Sequence, residues 1–154
     1  MHIVLYEPEI PQNTGNIART CAATGVSLHL IKPLGFSIDD KHVKRAGLDY
    51  WHLLDLYVYD NWESFIAQKG HLDLYFTSTR GEQYYHNLQY PEDSYFVFGP
   101  ETRGIPESIL RQYWDRVIRI PMRPNSRSLN LSNAAAIVIY EALRQHEFKN
   151  ITSW

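Results

Sequence analysis

Apolar residues in this chain fall into short blocks at two spacings. Blocks of four to six residues rich in Ile, Val, Leu, Tyr and Phe, at 2–6, 27–31, 54–59, 72–77, 95–98 and 117–120, predict β-strands. Between them the apolar positions recur at helical spacing, which predicts helices over 13–24, 39–46, 61–68, 106–113 and 132–147. Alternation of strand and helix with short connections reads as an α/β fold, a mostly parallel sheet covered by helices on both faces. Boundary residues agree: Asn61 with Glu63 behind it starts one helix, and Gly25 and Gly70 close two others. No low-complexity linker or internal repeat divides the chain, so 1–154 is expected to be a single domain.

The helix expected at 132–147 has almost no polar side before Arg144, since Ala134, Ala135, Ala136, Ile137, Val138, Ile139, Ala142 and Leu143 crowd it. A helix apolar nearly all round has to be covered all round. The chain's own sheet on one side and a second subunit on the other is the economical cover, which predicts a homodimer packed partly through this helix. Burial wholly within one subunit is the alternative.

Two strand ends run into loops too specific for ordinary turns. The block 95–98 stops at Gly99-Pro100, and the block 117–120 stops at Pro121. Proline cannot continue a ladder, so both loops leave the sheet at the carboxyl end of a strand, where open α/β sheets bind ligands. A third loop, Pro8-Glu9-Ile10-Pro11-Gln12-Asn13-Thr14-Gly15, joins the first strand to a helix in which Asn16 and Arg19 share a face. Glu101 and Arg103 sit in the glycine-bounded loop 99–104. Asn125, Ser126, Arg127, Ser128, Asn130, Ser132 and Asn133 crowd into nine positions before the apolar helix. One of Ser128, Asn130 or Ser132 is expected to cap that helix, which leaves the others to explain. None of the loops reads GxGxxG or GxxxxGK[ST], so neither a dinucleotide fingerprint nor a phosphate-binding P-loop is present.

With 44% apolar and 21% charged residues, the composition excludes a disordered chain. The apolar run at 3–6 ends at Glu7 with no basic stretch or cleavage site, so no export signal is expected. The longest apolar stretch, 134–140, falls far short of the roughly 18 residues that span a bilayer. A lone cysteine, Cys21, reads as a buried helix residue in a reducing compartment, hence a cytoplasmic protein. The seven histidines show no HxxxH or HxH pairing, and no metal is expected.

The net charge of −2 does not itself suggest a polyanionic partner, but charge is unevenly placed. Between Arg103 and Arg127, six arginines face only Glu107 and Asp115, a local charge of +4. Lys41, Lys44 and Arg45 form a second basic cluster. Clustered arginines clamp phosphates and give salt-dependent affinity for nucleic acid. Lys41, Arg45, Arg103, Arg123 and Arg127 are therefore the candidate nucleic-acid contacts, against the alternative of a solvated basic face. The eleven tyrosines and four tryptophans could stack unpaired bases, though most suit packing.

Three segments, NTGNIAR, FGPETRGIP and IRIPMRPNSRSLNLSNA, occur in that order over almost the full chain. They resemble the three motifs of the SPOUT superfamily of trefoil-knotted RNA methyltransferases. YEPEIPQNTGNIAR, KPLGF and RAGLDYW, with no appended RNA-binding domain, resemble more narrowly the short tRNA 2'-O-ribose methyltransferases that act on the wobble cytidine or uridine. The resemblance implies a carboxyl-terminal trefoil knot, a topology that ordinary chain-connection rules exclude. It implies S-adenosylmethionine as cofactor, held by Thr77, Gly99, Ile120, Met122, Ser128 and Leu129, with Thr77 contributing main chain. It implies a tRNA substrate and a catalytic role for Arg19. A guanidinium, with a pKa above about 12, is a poor base. Arg19 is therefore expected to bind a phosphate and polarise the ribose hydroxyl, with Asn13, Glu101, Ser128 and Asn130 arranging it. Other readings are methylation of another tRNA or rRNA ribose, a non-catalytic RNA-binding dimer, and a small-molecule enzyme on a doubly wound sheet.

Overall fold

Ile3 and Leu5 face one way and Val4 the other, and the same alternation in the neighbouring strands builds two separate cores on the two sides of one sheet. The structure, a computed structural model, describes residues 1–39, 41, 50–70, 72–149 and 151. Its strands are β1 (His2–Tyr6), β2 (Ser27–Ile31), β3 (Leu56–Tyr59), β4 (Leu74–Thr77), β5 (Gln83–Tyr84), β6 (Tyr95–Phe98) and β7 (Val117–Arg119). Its longer helices are α1 (Pro11–Thr24), α2 (Trp62–Lys69), α3 (Glu107–Gln112) and α4 (Leu131–Gln145). The strands pair in the order β3-β2-β1-β6-β4-β7-β5, every pair parallel.

Helices cover both faces, as the strand–helix alternation predicts. Ile17, Ala18 and Cys21 of α1 and Ala135, Val138, Ile139 and Ala142 of α4 pack on Ile3, Leu5, Leu28, Leu30 and Phe96. Phe65 of α2 and Ile109 and Leu110 of α3 pack on Val4, Phe76, Val97 and Val117. Burial pushes the Cys21 thiol up to about 12, which leaves it a buried hydrophobe without thiolate chemistry.

Local signals set the helix ends. Asn61 caps α2 through a reciprocal box: its side chain accepts from Ser64 N at 2.8 Å, and its own N–H donates to Ser64 Oγ at 3.2 Å. The carboxyl cap of α1 is Gly25 at φ 69°. That helix begins two residues before the expected Asn13, because Pro11 takes a first-turn position where its missing N–H costs nothing. Asn13 is thereby freed from capping.

The strands expected at 54 and 72 begin at Leu56 and Leu74, and the one expected to reach Ile120 ends at Arg119. Leu54 instead closes a short 3-10 turn, its N–H donating to Trp51 O at 3.2 Å. The two-residue strand β5 was not expected, since Gln83-Tyr84 has no apolar alternation and exists only through its pairing with β7. The helix expected at 39–46 lies outside the described residues except for its first positions, Asp39 and Lys41. On α4 the cover is incomplete among the described residues: Tyr140 is 48% exposed and Ile137 only half-buried.

This topology gathers the chemistry. β1, β6, β4 and β7 lie side by side in mid-sheet, and from β1 the chain winds outward through β2 to β3 while β6 sits on its other flank. The loops leaving the carboxyl ends of these four strands therefore meet at a topological switch point.

Candidate active site

The segments after β1, β4, β6 and β7 enclose a cleft of about 500 Å³. Phe98, Leu110, Ile120, Met122, Leu129 and Ala134 give it an apolar wall, and Thr77, Ser78, Asn13, Glu101, Ser128 and Asn130 give it polar groups. A cleft of this size suits a nucleoside-sized ligand.

Its framework is a set of hydrogen bonds between loops remote in sequence. Ile10, the residue before the first turn of α1, offers no side-chain cap, and that turn carries no acidic residue. Glu101 of the β6 loop supplies what is missing. Its carboxylate accepts from Glu9 N at 2.8 Å, Ile10 N at 3.1 Å and Asn13 Nδ2 at 3.1 Å. An anion placed there also meets the positive end of the helix dipole. Glu9 answers in the other direction: its carboxylate accepts from Thr102 N at 3.0 Å and Thr102 Oγ1 at 2.8 Å.

Asn13 joins this pair of loops to a third. It is 5% exposed, and its Oδ1 accepts from Asn130 Nδ2 at 2.9 Å. Asn130 Oδ1 in turn accepts from Ser132 N at 2.9 Å and Asn133 N at 3.4 Å, capping α4. Of the three capping candidates it is Asn130 that does so.

Gly99 keeps the β6 loop folded onto itself. A Cβ there would overlap the backbone of Gly104 and the nitrogen of Ile105, and Gly104 holds φ 70°, which glycine adopts without strain.

All six residues expected to hold a cofactor, Thr77, Gly99, Ile120, Met122, Ser128 and Leu129, line the cleft. So do Asn13, Glu101 and Asn130, and so does Arg103, which pairs with Glu7. Arg19 is not in the lining. It stands exposed on α1 with its guanidinium carbon 5.2 Å from the centroid of the Tyr50 ring. Arg123 and Arg127 are exposed in the loop between β7 and α4, Lys41 is exposed, and Arg45 lies outside the described residues. The pairings of Glu7 and Glu9 are additions to the expected set; both residues lie in the proline-rich turn, but nothing local announces partners more than ninety positions away.

The cleft can bind and orient, but it is poor in ordinary proton-transfer groups. Among the described residues its lining contains neither histidine nor cysteine, and the carboxylate of Glu101 is occupied by backbone and amide donors. Among the described residues no cluster of His, Cys, Asp and Glu is placed to hold a metal ion. Nor is any helix among them long and apolar enough to cross a membrane.

Comparison with known proteins agrees with this geometry. A tRNA (cytidine(34)-2'-O)-methyltransferase of Saccharophagus degradans is 55% identical over 148 residues, 96% of each chain. A solved structure described as giving insight into 2-OH methylation of C/U34 on tRNA superposes with a TM-score of 0.91 at 46% identity, covering 95% of each chain. An AdoMet-bound rRNA methyltransferase of Sinorhizobium meliloti superposes with a TM-score of 0.83 at 25% identity, covering 93% of this chain and 55% of that one. The model of the SpoU rRNA Methylase family matches residues 1–140, and the chain belongs to that family.

Proposed function

We propose that this protein transfers a methyl group from S-adenosylmethionine to the ribose 2'-hydroxyl of the cytidine or uridine at position 34 of tRNA. The near-full-length likeness to enzymes described by that reaction supports it. The single observation that carries it is the cleft at the switch point, whose three long loops are tied together by Asn13, Glu101 and Asn130.

The residues present fit the cofactor. Among the described residues Thr77 Oγ1 is buried without a hydrogen-bond partner at the cleft wall, and the apolar side chains of Ile120, Met122 and Leu129 offer a surface for an adenine-sized ring. When bound, S-adenosylmethionine supplies an electrophilic methyl group. The chain's part is to align a weak nucleophile with it and to exclude water, work that positioning groups can do without a strong base. Asn13, Glu101 and Asn130 hold the walls in register, and Ser128 stands at the mouth as a contact for the ribose.

Arg19 needs a partner to take part. We place it at a homodimer interface formed by α1 and α4, where the exposed Tyr140 of α4 awaits cover. From there Arg19 of one copy reaches the cleft of the other, binding phosphate and polarising the hydroxyl. Arg103, Arg123, Arg127, Lys41 and Arg45 would hold the RNA backbone, the chain acting as one domain that supplies its own RNA surface. We also take the segment after β7 to be threaded as a trefoil knot, as the three motifs imply, and the protein to work in the cytoplasm, where its tRNA substrate is found.

Mass spectrometry of nucleosides from tRNA incubated with protein and labelled cofactor tests the reading. The label should appear on the ribose of nucleoside 34; label on a base, or none, would sink it.

A further inference from the structure

Three consecutive residues of the β6 loop meet the β1 loop. Glu101 and Thr102 are locked to Glu9, Ile10 and Asn13 by the five hydrogen bonds described above. The third, Arg103, pairs through Nη2 with a carboxylate oxygen of Glu7. This third contact differs in kind. The loops are already held by the other two residues, so it is not needed to join them.

Its two ends differ as well. The Glu7 side chain is 19% exposed and that of Arg103 57%, so the carboxylate is sheltered and the guanidinium faces the open cleft. Glu7 occupies the left-handed region at φ 48°, uncommon for a residue with a Cβ. Its N–H donates to Ile31 O at 2.9 Å, which continues the β1–β2 ladder by one step and fixes the backbone in that setting. A strained residue thus presents its carboxylate to an arginine that lines the ligand cleft. An ion pair with one partner more than half exposed is a weak one, and a guanidinium fork takes a phosphate or carboxylate equally well.

We propose that Glu7 is a placeholder for a ligand oxyanion: it holds the Arg103 guanidinium at the cleft mouth in the free protein and gives it up when an oxyanion of the substrate or cofactor arrives. This rests on the methyltransferase reading, which offers two such oxyanions, an RNA phosphate beside the target ribose and the carboxylate of the cofactor's methionyl part. The consequence is unusual for an acidic residue at a site. Neutralising Glu7 should strengthen binding rather than weaken it, and only while Arg103 is present.

The test is a double-mutant cycle of Glu7→Gln, Arg103→Ala and their combination, each checked for an unchanged thermal unfolding profile. Binding is measured to an anticodon stem-loop RNA and, separately, to S-adenosylhomocysteine. If the oxyanion is phosphate, Glu7→Gln should tighten RNA binding three- to tenfold. Arg103→Ala should weaken it and reduce the slope of log affinity against log salt by about 0.7. The combined variant should show no gain over Arg103→Ala. If the oxyanion is the cofactor carboxylate, the same pattern should appear with S-adenosylhomocysteine and not with RNA. Glu7→Asp, which keeps the charge but shortens its reach, should move the same ligand in the same direction by less. Unchanged or weaker binding of both ligands by Glu7→Gln would overturn the exchange while leaving the methyltransferase reading intact. Failure of the wild-type protein to bind either ligand would overturn that reading and the exchange with it.

Discussion

Asn130 Nδ2 donates to Asn13 Oδ1 at 2.9 Å, joining residues 117 positions apart and tying the start of α1 to the start of α4. With Asn13 Nδ2 donating to Glu101, one buried amide bridges all three loops of the cleft. An amide has a donor end and an acceptor end, and here each is used on a different loop. A carboxylate could not make both contacts, because its lone pairs would face those of Glu101.

The first prediction follows from that polarity. Asn13→Asp keeps the size of the side chain but sets a carboxylate 3.1 Å from Glu101, so it should destabilise the fold by about 1–3 kcal/mol and abolish methylation. Asn130→Ala removes the α4 cap and leaves Asn13 Oδ1 unpaired, for a loss of about 1–2 kcal/mol. Urea unfolding of both variants at neutral pH reads these losses. A stable, active Asn13→Asp protein would show that the bridge does not organise the cleft.

Gly99→Ala addresses the loop rather than the bridge. The added methyl would strike the backbone of Gly104 and Ile105, which cannot swing aside as a side chain can. The loop must then open, and affinity for S-adenosylmethionine should fall by tenfold or more in calorimetry. Because opening the loop also displaces the buried Ile105, the unfolding midpoint should fall as well, and affinity is read well below it. Undiminished affinity would mean that the β6 loop does not shape the cofactor site.

Much of this architecture was legible in the sequence, and the reason is local. The apolar block 2–6, the Asn61 cap and the closing Gly25 each record a constraint imposed by near neighbours. The loops after β6 and β7 also lie where the sequence put them, lining the cleft, since Pro100 and Pro121 must end their strands. Illegible were the pairings of Glu9 with Thr102 and of Glu7 with Arg103, because a carboxylate carries no mark of a partner some ninety residues away. The strand β5 was hidden for the same reason: it is defined by β7 and not by its own pattern. Helical periodicity set Asn16 and Arg19 on one face, but which surface that face looks towards depends on how α1 packs.

A buried histidine makes stability depend on pH. His29 on β2 is fully buried, with Nε2 3.0 Å from His2 Nδ1 and Nδ1 3.1 Å from the Tyr59 hydroxyl, and His2 Nε2 meets Asp93 at 2.7 Å. Burial, helped by the neighbouring His2 and Lys69, lowers the His29 pKa from 6.5 to about 3, against a smaller opposing pull from Asp55. His2 is lowered too, burial outweighing its hydrogen bond to Asp93. In the unfolded chain His29 takes a proton as pH drops through 6.5, whereas in the folded protein it stays neutral until about 3. The unfolded state thus binds more protons across that window, and stability falls as pH falls. Between pH 7.5 and 5.5 the loss from His29 alone should be about 1.4 kcal/mol, read by urea unfolding. A His29→Gln variant, though less stable at pH 7.5, should lose correspondingly less between the two. Parallel pH slopes for the two proteins would remove His29 as the cause.

Arg19 provides the sharpest test of the assembled site, because its place outside the cleft lining leaves two arrangements to separate. In one it acts within its own subunit after a movement of α1. In the other, the one proposed, it serves the cleft of a second copy. Arg19→Ala should lose methylation while binding S-adenosylmethionine as the wild type does, and Gly99→Ala should keep Arg19 but lose the cofactor. If the proposed homodimer forms, the two variants, unfolded together, refolded at equal amounts and assayed at a cofactor concentration too low to fill the Gly99→Ala cleft, give mixed dimers. If Arg19 crosses the interface, each mixed dimer holds one complete site, the intact cleft of the Arg19→Ala subunit served by the arginine of its neighbour. Statistical pairing then restores roughly a quarter of wild-type activity. If Arg19 works within its own subunit, no mixed dimer contains a complete site and the mixture stays as inactive as its parts.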